Sequence, residues 1–395
     1  MARPMPDAAP VTRATFPLSS TIVSSVLVGG TVSHGPAAGS LVAPGPCEHG
    51  AVKFSLSLPL LKDRSQRDPY RETTDLALIA EECGFDTVTI GHHHFMPGNL
   101  ADPLTLLAAV AARTSTLRLG TGIFQLPIHN PVRVAEQVAT LDELSGGRIS
   151  LGVGLGWWPL EYQVMGSDFA TRGARMEEAL SILKLVWTEE RAEFAGRFWS
   201  FPELTVQPRP VQQPHPPLWV AGVADAAVER AARLGDAWLC GPVQSLAKAQ
   251  SCLAVHRAAC ERAGTRPDWI LRRYAWVGAD RHHVVGEVLP AYVDGLMEHW
   301  RESVEDDEER ALFARIDAGE EVSPEEIAAD RLLYGTPDDV IAQVVRFQAL
   351  TGCDHVHAAF GAGLPAHTGQ ASLGEFTEIA EMIRLFGHEV IPAFG

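Results

Sequence analysis

Short apolar runs alternate with longer amphipathic segments along the chain from Val52 onward. The short runs are rich in β-branched residues and predict strands, whereas the longer segments have the helical period. The predicted strands are Lys53–Leu58, Asp86–Gly91, Leu117–Phe124, Ile149–Val153, Leu218–Ala221, Asp236–Cys240, Trp269–Val277 and Asp354–Ala359. The predicted helices are Tyr70–Cys83, Pro103–Ser115, Pro131–Leu144, Met176–Thr188, Ala224–Leu234, Ser245–Ala263, Val284–Trp300, Pro337–Leu350 and Leu373–Leu385.

Strands that alternate with helices are typical of a parallel sheet and place the chain in the α/β class. A closed (β/α)8 barrel, the TIM barrel, with insertions after the fourth and seventh strands is the simplest fold at this length. A doubly wound open sheet is the alternative, but no G-x-G-x-x-G sequence opens the first helix. The glycine-rich run Gly152–Gly156 instead follows the fourth strand and leads into two tryptophans and a proline.

Three longer segments interrupt the alternation. Gly154–Gly173 follows the fourth strand. Glu193–Pro217 is aromatic and then proline-rich, which predicts a hairpin and an extended connector. Residues 301–336 carry an acidic run. Long insertions are usually mobile lids or disordered, and we expect the first and third to lie at the barrel mouth as lids.

The first 51 residues are rich in proline, glycine, alanine and serine and carry few charges. This composition favours a disordered tail, and a start assigned upstream of the true one is an alternative. An export signal is the least favoured interpretation, because the basic and apolar parts of the segment are weak. The predicted folded domain is therefore residues 52–395.

Charge and composition exclude several classes of function. The chain of 395 residues has 32 basic and 49 acidic residues and a net charge of −17, which argues against nucleic acid or an anionic membrane as a partner. No run of 18 or more apolar residues predicts a membrane span. The six cysteines lack metal-ligand spacing, which is typical of reduced thiols in a cytoplasmic protein.

The strongest polar feature is the triple histidine that follows the second predicted strand. In a barrel of this class, function gathers at the carboxyl ends of the strands. Alternation along an extended chain places His92 and His94 on one side and His93 on the other, so the three cannot converge on one ion, and we predict no metal site. The histidines either pack against loop backbone or supply a neutral imidazole as acid, base or hydrogen-bond donor.

Other strand ends offer further candidates. Gly120 and Gly122 indicate either a simple bend or a close approach to a flat ligand. Gly222 and Val223 precede a helix whose free amides could hold a phosphate, or could be capped by Asp225. Trp157 and Trp158 either cover a ligand or belong to the core. The sequence has no G-x-S-x-G nucleophile motif.

Several longer motifs, in this order, resemble one known family, the bacterial luciferase-like flavin-dependent monooxygenases. The resemblance runs from about Val52 to Phe394. The segments that carry it are GFDTVTIGHHHF (Gly84–Phe95), Leu117–Arg148, ISLGVGLGWWPLEYQVMG (Ile149–Gly166), PPLWVAG (Pro216–Gly222), YGTPDDV (Tyr334–Val340) and EVIPAF (Glu389–Phe394).

The resemblance implies a two-component monooxygenase. A separate flavin reductase would supply FMNH2, which reacts with O2 to give a C4a-hydroperoxide that oxygenates a small organic substrate. It implies a catalytic role for His93, followed by His94, and a cis peptide at Gly122–Ile123 beneath the flavin ring. It also implies that Gly154 and Trp157 border the cofactor, that the amides of Gly222 and Val223 bind its phosphate, and that the chain forms a homodimer.

Departures from the family pattern keep two alternatives open. Gly154 and Leu155 stand where light-emitting members have a cysteine and a phosphate-binding arginine, so light emission is not implied. The GVGLGWW segment resembles relatives that use a deazaflavin, which suggests a coenzyme F420-dependent dehydrogenase on the same barrel. The His-His-Phe segment and the EVIPAF ending favour FMN. A non-catalytic flavin-binding partner subunit is the third hypothesis.

Overall fold

The fold is a closed barrel of eight parallel strands with helices outside it, seen in a computed structural model that describes residues 51–59, 68–96, 99–302, 307–360 and 376–395. The eight barrel strands are the first four, then the seventh, eighth, ninth and eleventh in chain order, and the ninth pairs with both of its barrel neighbours to close the ring. This confirms the predicted (β/α)8 fold and its insertions after the fourth and seventh barrel strands.

Strands of the described residues are β1 (Lys53–Leu58), β2 (Thr87–Ile90), β3 (Arg118–Thr121), β4 (Ile149–Val153), β5 (Ala192–Ala195), β6 (Ser200–Leu204), β7 (Leu218–Ala221), β8 (Ala237–Leu239), β9 (Trp269–Val277), β10 (Leu332–Gly335) and β11 (His355–Phe360). All eight predicted strands are found. The predicted hairpin is also present, because β5 and β6 pair antiparallel outside the barrel.

Helices of the described residues are α1 (Pro69–Glu82), α2 (Pro103–Ala111), α3 (Pro131–Ser145), α4 (Pro159–Val164), α5 (Arg172–Thr188), α6 (Asp225–Leu234), α7 (Leu246–Ala263), α8 (Arg281–His283), α9 (Leu289–Glu302), α10 (Asp307–Asp317), α11 (Pro324–Ala328), α12 (Pro337–Thr351) and α13 (Phe376–Leu385). Of the described helices, none combines the length and apolarity needed to cross a bilayer. The expected start of the last helix at Leu373 lies outside the described residues, as does the predicted tail up to residue 50.

Capping residues explain where several helices begin and end. Asn130 accepts hydrogen bonds from the first backbone N–H groups of α3, and Gly146 ends that helix in the left-handed conformation at φ 67°. Thr336 and Asp339 form a reciprocal capping box at the start of α12, and Gly352 closes it at φ 72°. These helices therefore take their bounds from local sequence chemistry.

The described part of the insertion after β9 is folded. Helices α9, α10 and α11 bury their own apolar cluster, separate from the barrel core, with Leu289, Tyr292, Phe313 and Ile327 among its members. Strand β10, which the sequence analysis missed, pairs in parallel with the carboxyl half of β9. The alternative of disorder for 301–336 is therefore wrong for the described residues, and the expected role of this segment as a lid stays a prediction.

Side chains inside the barrel are mostly small or polar. The Trp219 ring of β7 lies 5.7 Å from the His355 ring of β11, and because these strands are not neighbours both rings point inward. Alternation then places His357 inside as well, where its Nε2 lies 2.7 Å from Thr89 Oγ1 of β2. The barrel interior thus brings together residues from strands far apart in sequence.

The contact between β3 and β4 is too close for a side chain at Gly152. A Cβ atom at this position would lie 2.0 Å from the backbone oxygen of Thr121. We expect Gly152→Ala to lower the free energy of unfolding by about 3 kcal/mol, because the two strands must separate. Urea unfolding followed by tryptophan fluorescence measures this loss. In the matched control Gly286→Ala the new methyl meets only His282 Cε1 at 3.9 Å, so equal losses in the two variants would contradict the prediction.

Candidate active site

The predicted site residues lie at the carboxyl ends of four neighbouring barrel strands. His93 and His94 follow β2, Gly122 and Ile123 follow β3, and Gly154 and Trp157 follow β4. Gly222 and Val223 follow β7, which pairs with β4. Parallel neighbours end at the same edge, so all eight predicted residues lie along one part of the barrel mouth.

A backbone bulge forms the centre of this part of the mouth. The Gly122–Ile123 peptide is cis, as expected from the resemblance. A Cβ atom at Gly122 would lie 2.6 Å from Thr89 Oγ1, and one at Gly154 would lie 2.8 Å from the Ile123 side chain. Glycine is therefore favoured at both positions, because Thr89 and the Ile123 side chain occupy the space that a side chain there would need.

Glu161 of α4 holds His93 and His94 in position through hydrogen bonds. Its side chain is fully buried, and Oε1 accepts hydrogen bonds from the backbone N–H of His94 at 2.7 Å and from Gln125 Nε2 at 3.0 Å. The same oxygen lies 3.3 Å from His93 Nδ1. Burial alone would raise the pKa of the Glu161 carboxyl, but the hydrogen bonds from His93, His94 and Gln125 lower it below its ordinary value.

These contacts assign the proton on His93. The two amide hydrogens of Gln125 go to Glu161 Oε1 and to the backbone oxygen of His92, at 3.0 and 3.1 Å. His93 Nδ1 is therefore the third donor to Glu161 Oε1, and in the neutral ring the lone pair lies on Nε2. The His93 side chain is 24% exposed, and the Trp157 ring, 44% exposed, lies 6.2 Å away. The arrangement gives the mouth an accessible imidazole that can accept a proton, and it places Trp157 outside the core.

His92 and His94 form a separate buried cluster with His129. The backbone N–H of Gln125 donates to His92 Nδ1 at 3.1 Å, so His92 Nε2 carries the proton and donates it to His94 Nε2 at 2.9 Å. Burial lowers the pKa of His92 to about 2 and that of His129 to about 4. The alternation argument placed His92 and His94 together correctly.

The three ring nitrogens of this cluster lie within 4.8 Å of one another, a spacing at which a metal ion could be held. Both nitrogens of His92 already serve in hydrogen bonds, which leaves it no lone pair to donate to a metal. The cluster is accordingly explained as a hydrogen-bonded support for the strand end. The expected absence of a metal and the catalytic role of His94 stay predictions.

The helix after β7 begins without a side-chain cap. Ala224 is the N-cap residue of α6, and Asp225 in the first turn makes no capping hydrogen bond, so the alternative that Asp225 caps this helix is wrong. Gly222 has no space for a side chain, since a Cβ atom there would lie 2.3 Å from the Ala227 Cβ. The first backbone N–H groups of α6 have no side-chain cap, and free amides at a helix start can bind an anion.

Comparison with known proteins places this geometry in a family. The family model described as luciferase-like monooxygenase matches residues 53–354. The chain belongs to this family. The match confirms the resemblance seen in the sequence motifs.

Three known proteins represent the luciferase-like relatives of the chain. The flavin-dependent trigonelline monooxygenase oxygenase component of Acinetobacter baylyi is 32% identical over 57% of this chain and 65% of its own length, so the chain spans just under two thirds of that relative. The F420-dependent glucose-6-phosphate dehydrogenase of Intrasporangium calvum is 30% identical over 73% of this chain and 89% of its own. The crystal structure of monooxygenase RslO1 from Streptomyces bottropensis matches 87% of this chain and 100% of its own, with 27% identity and a TM-score of 0.71.

Three residues that matter at the site were not found from the sequence. Gln125, His129 and Glu161 lie inside the segments that carry the family resemblance, but nothing in the local pattern distinguishes them from their neighbours. Gln125 lies just after the predicted third strand, and its position at a strand end was the one available indication. Glu161 lies on the short helix α4 inside an insertion that the sequence analysis treated as a loop.

Proposed function

We propose that this chain is the oxygenase of a two-component flavin-dependent monooxygenase, which receives FMNH2 from a separate reductase and uses O2 to oxygenate a small organic substrate. The observation that carries the proposal is the accessible His93 imidazole, held by Glu161 at the same strand-end edge of the barrel as the cis peptide Gly122–Ile123. The name of the Acinetobacter relative as an oxygenase component supports a separate reductase.

The residues at the mouth fit a flavin. The cis peptide Gly122–Ile123 and the Ile123 side chain offer a flat ring a place to lie, and the uncapped start of α6 offers backbone donors to a phosphate. Reduced flavin, when bound, supplies the chemistry that activates O2 and transfers one oxygen atom. His93 Nε2 accepts or returns a proton at the ring, and Trp157 covers the site and limits the entry of water.

An F420-dependent dehydrogenase is the second candidate function. The relative from Intrasporangium calvum supports it, because the match covers most of both chains. Such an enzyme would bind a deazaflavin at the same mouth and transfer hydride without O2. The homodimer, the cytoplasmic location and the third hypothesis of a non-catalytic subunit stay predictions.

Cofactor titration under anaerobic conditions separates these functions. We expect quenching of tryptophan fluorescence by FMNH2 with a micromolar Kd, about tenfold tighter than by reduced riboflavin, because the α6 amides bind the phosphate. Reduced F420 should bind more weakly than FMNH2. Tighter binding of F420 would replace the monooxygenase by the dehydrogenase, and binding of neither cofactor would favour the non-catalytic subunit. Equal affinity for FMNH2 and reduced riboflavin would remove the phosphate site from α6.

A further inference from the structure

Two consecutive arginines on β9 have opposite environments. Arg272 pairs in register with His357 of β11 and shares its inward face, whereas Arg273 points outward, with its guanidinium 5.3 Å from the Phe347 ring centre. Arg273 is fully buried and donates to the backbone oxygens of Gly241 and Arg272. Arg272 keeps part of its surface accessible although it points into the barrel, so that surface borders an interior space.

Arg272 has no counter-ion in the part of the chain that the structure describes. Burial disfavours the charged guanidinium and is the main cause that lowers the pKa of Arg272 from its ordinary value. The groups that partly offset this lowering are Tyr274, Cys240 and Tyr292. None of the three is a carboxylate, and Arg272 Nε has no hydrogen-bond partner among the described residues. An arginine stays protonated even here, so the barrel interior holds an uncompensated positive charge that an anion would neutralise.

His357 connects this charge to the candidate active site. Its Nε2 lies 2.7 Å from Thr89 Oγ1, the atom that a side chain at Gly122 would strike. Its Nδ1 has no hydrogen-bond partner among the described residues, and burial together with the charge of Arg272 keeps the pKa of the ring well below its ordinary value. A neutral His357 that accepts the Thr89 hydroxyl proton has its own Nδ1–H free to donate.

The other side of the interior is apolar. Trp219, Leu239 and Ile270 form a small cluster with the partly buried Ile123 of the bulge packed against it. The interior therefore combines a fixed positive charge, a neutral donor and an aromatic wall, all on the inner side of Gly122. The helix N-terminus of α6 lies at a loop after another strand, so the phosphate proposed to bind there is a different anion from the one that Arg272 would hold.

We propose that Arg272, assisted by His357, binds the carboxylate of the substrate inside the barrel, so that the substrate is a small carboxylic acid with an apolar body against Trp219. This inference rests on the proposed function for the reaction that follows binding. The binding itself needs no flavin, since every residue involved belongs to the chain.

Benzoate, compared with its neutral isostere benzamide, is the probe for this site. We expect the flavin-free full-length chain to bind benzoate in the millimolar range or tighter and at least tenfold more tightly than benzamide, measured by isothermal titration calorimetry. Arg272→Gln should weaken benzoate binding at least tenfold and leave benzamide binding within twofold. The matched control is Arg273→Gln, which removes the neighbouring buried arginine from the outer face and should keep the preference for benzoate.

Several outcomes would overturn the proposal. These are equal losses of benzoate affinity in the two variants, equal binding of benzoate and benzamide, or no millimolar binding of either benzoate or acetate by the native chain. Inorganic phosphate that binds more tightly than benzoate and is lost in Arg272→Gln would assign the charge to a phosphate instead. If Arg272→Gln does not fold, Arg272→Lys keeps the charge without the planar fork and should reduce the preference for benzoate. FMNH2 titration of the same samples tests the proposed function independently of this result.

Discussion

Replacing His93 by alanine should increase uncoupled release of H2O2 from the FMNH2-loaded chain in the presence of O2 by about 10²- to 10³-fold, the range that a positioned acid or base contributes. The reason is geometric. Glu161 accepts the hydrogen bond from His93 Nδ1, so Nε2 of the neutral ring carries the lone pair, and the side chain is 24% exposed at the edge of the barrel where the flavin ring is proposed to lie. Alanine removes that group and opens a path for water.

Stopped-flow mixing of the anaerobic FMNH2 complex with oxygenated buffer, coupled to a peroxidase assay, measures this release. Glu161→Gln should give a smaller increase, since glutamine can keep an acceptor near His93 but loses the charge that orients it. The control His282→Ala removes an exposed imidazole from α8 and should match the native chain. Equal release from His93→Ala and His282→Ala would exclude His93 from the chemistry.

Acid should destabilise the fold steeply, starting near pH 6.5. For each of five histidines, burial is the main cause that lowers the pKa. The pKa is about 2 for His92, about 4 for each of His129, His256 and His355, and well below its ordinary value for His357. In the unfolded chain these rings bind protons below about pH 6.5, whereas in the folded chain they remain neutral.

The direction of the pH effect on stability follows from this difference in bound protons between the unfolded and the folded chain. The unfolded state binds more protons as the pH falls, so each histidine removes up to about 1.4 kcal/mol of stability per pH unit between 6.5 and its folded pKa. Summed over the five, the free energy of unfolding should drop by roughly 7 kcal/mol from pH 7.5 to 5.5, a large part of the stability of an ordinary domain. Carboxylates whose pKa is lowered in the folded chain, such as Glu81 at about 2, change the stability only below pH 4.5, so they do not contribute between pH 7.5 and 5.5.

Urea unfolding at pH 7.5, 6.5 and 5.5 measures the effect. The variant His256→Gln removes one of the titrating rings at a position on α7, away from the barrel mouth, and should reduce the slope by about one proton. The control His283→Gln changes a half-exposed histidine and separates the loss of a buried ring from the loss of any histidine. A free energy of unfolding that stays constant between pH 7.5 and 5.5 would show that these rings are protonated in the folded chain.

The barrel strands could be predicted from sequence because their pattern is local. The run Lys53–Leu58 and the run Trp269–Val277 coincide with β1 and β9. Strand β10 was missed because Leu332–Gly335 is a short apolar run in a charged insertion, and it becomes a strand only by pairing with β9. Pairing of this kind depends on tertiary contacts that no local pattern contains.

The candidate site was predictable only in part, for the same reason. Alternation correctly separated His93 from His92 and His94, because direction along an extended chain is a local property. The partner of His93 is Glu161, 68 residues away, and spacing in the sequence says nothing about that contact. Arg272 lies in the middle of a correctly predicted strand, but its inward direction becomes known only when His357 is placed beside it.

The insertion after β9 gives the family a way to change specificity without rebuilding the barrel. Its apolar cluster is separate from the barrel core, yet it includes Tyr292, which acts on Arg272 at the bottom of the proposed substrate space. Substitution of Tyr292 can therefore change the electrostatic environment of Arg272 without a change in the strands, the bulge or the histidines. If Arg272 binds the carboxylate of the substrate as proposed, exchange of residues 289–335 between relatives should change which acids are accepted.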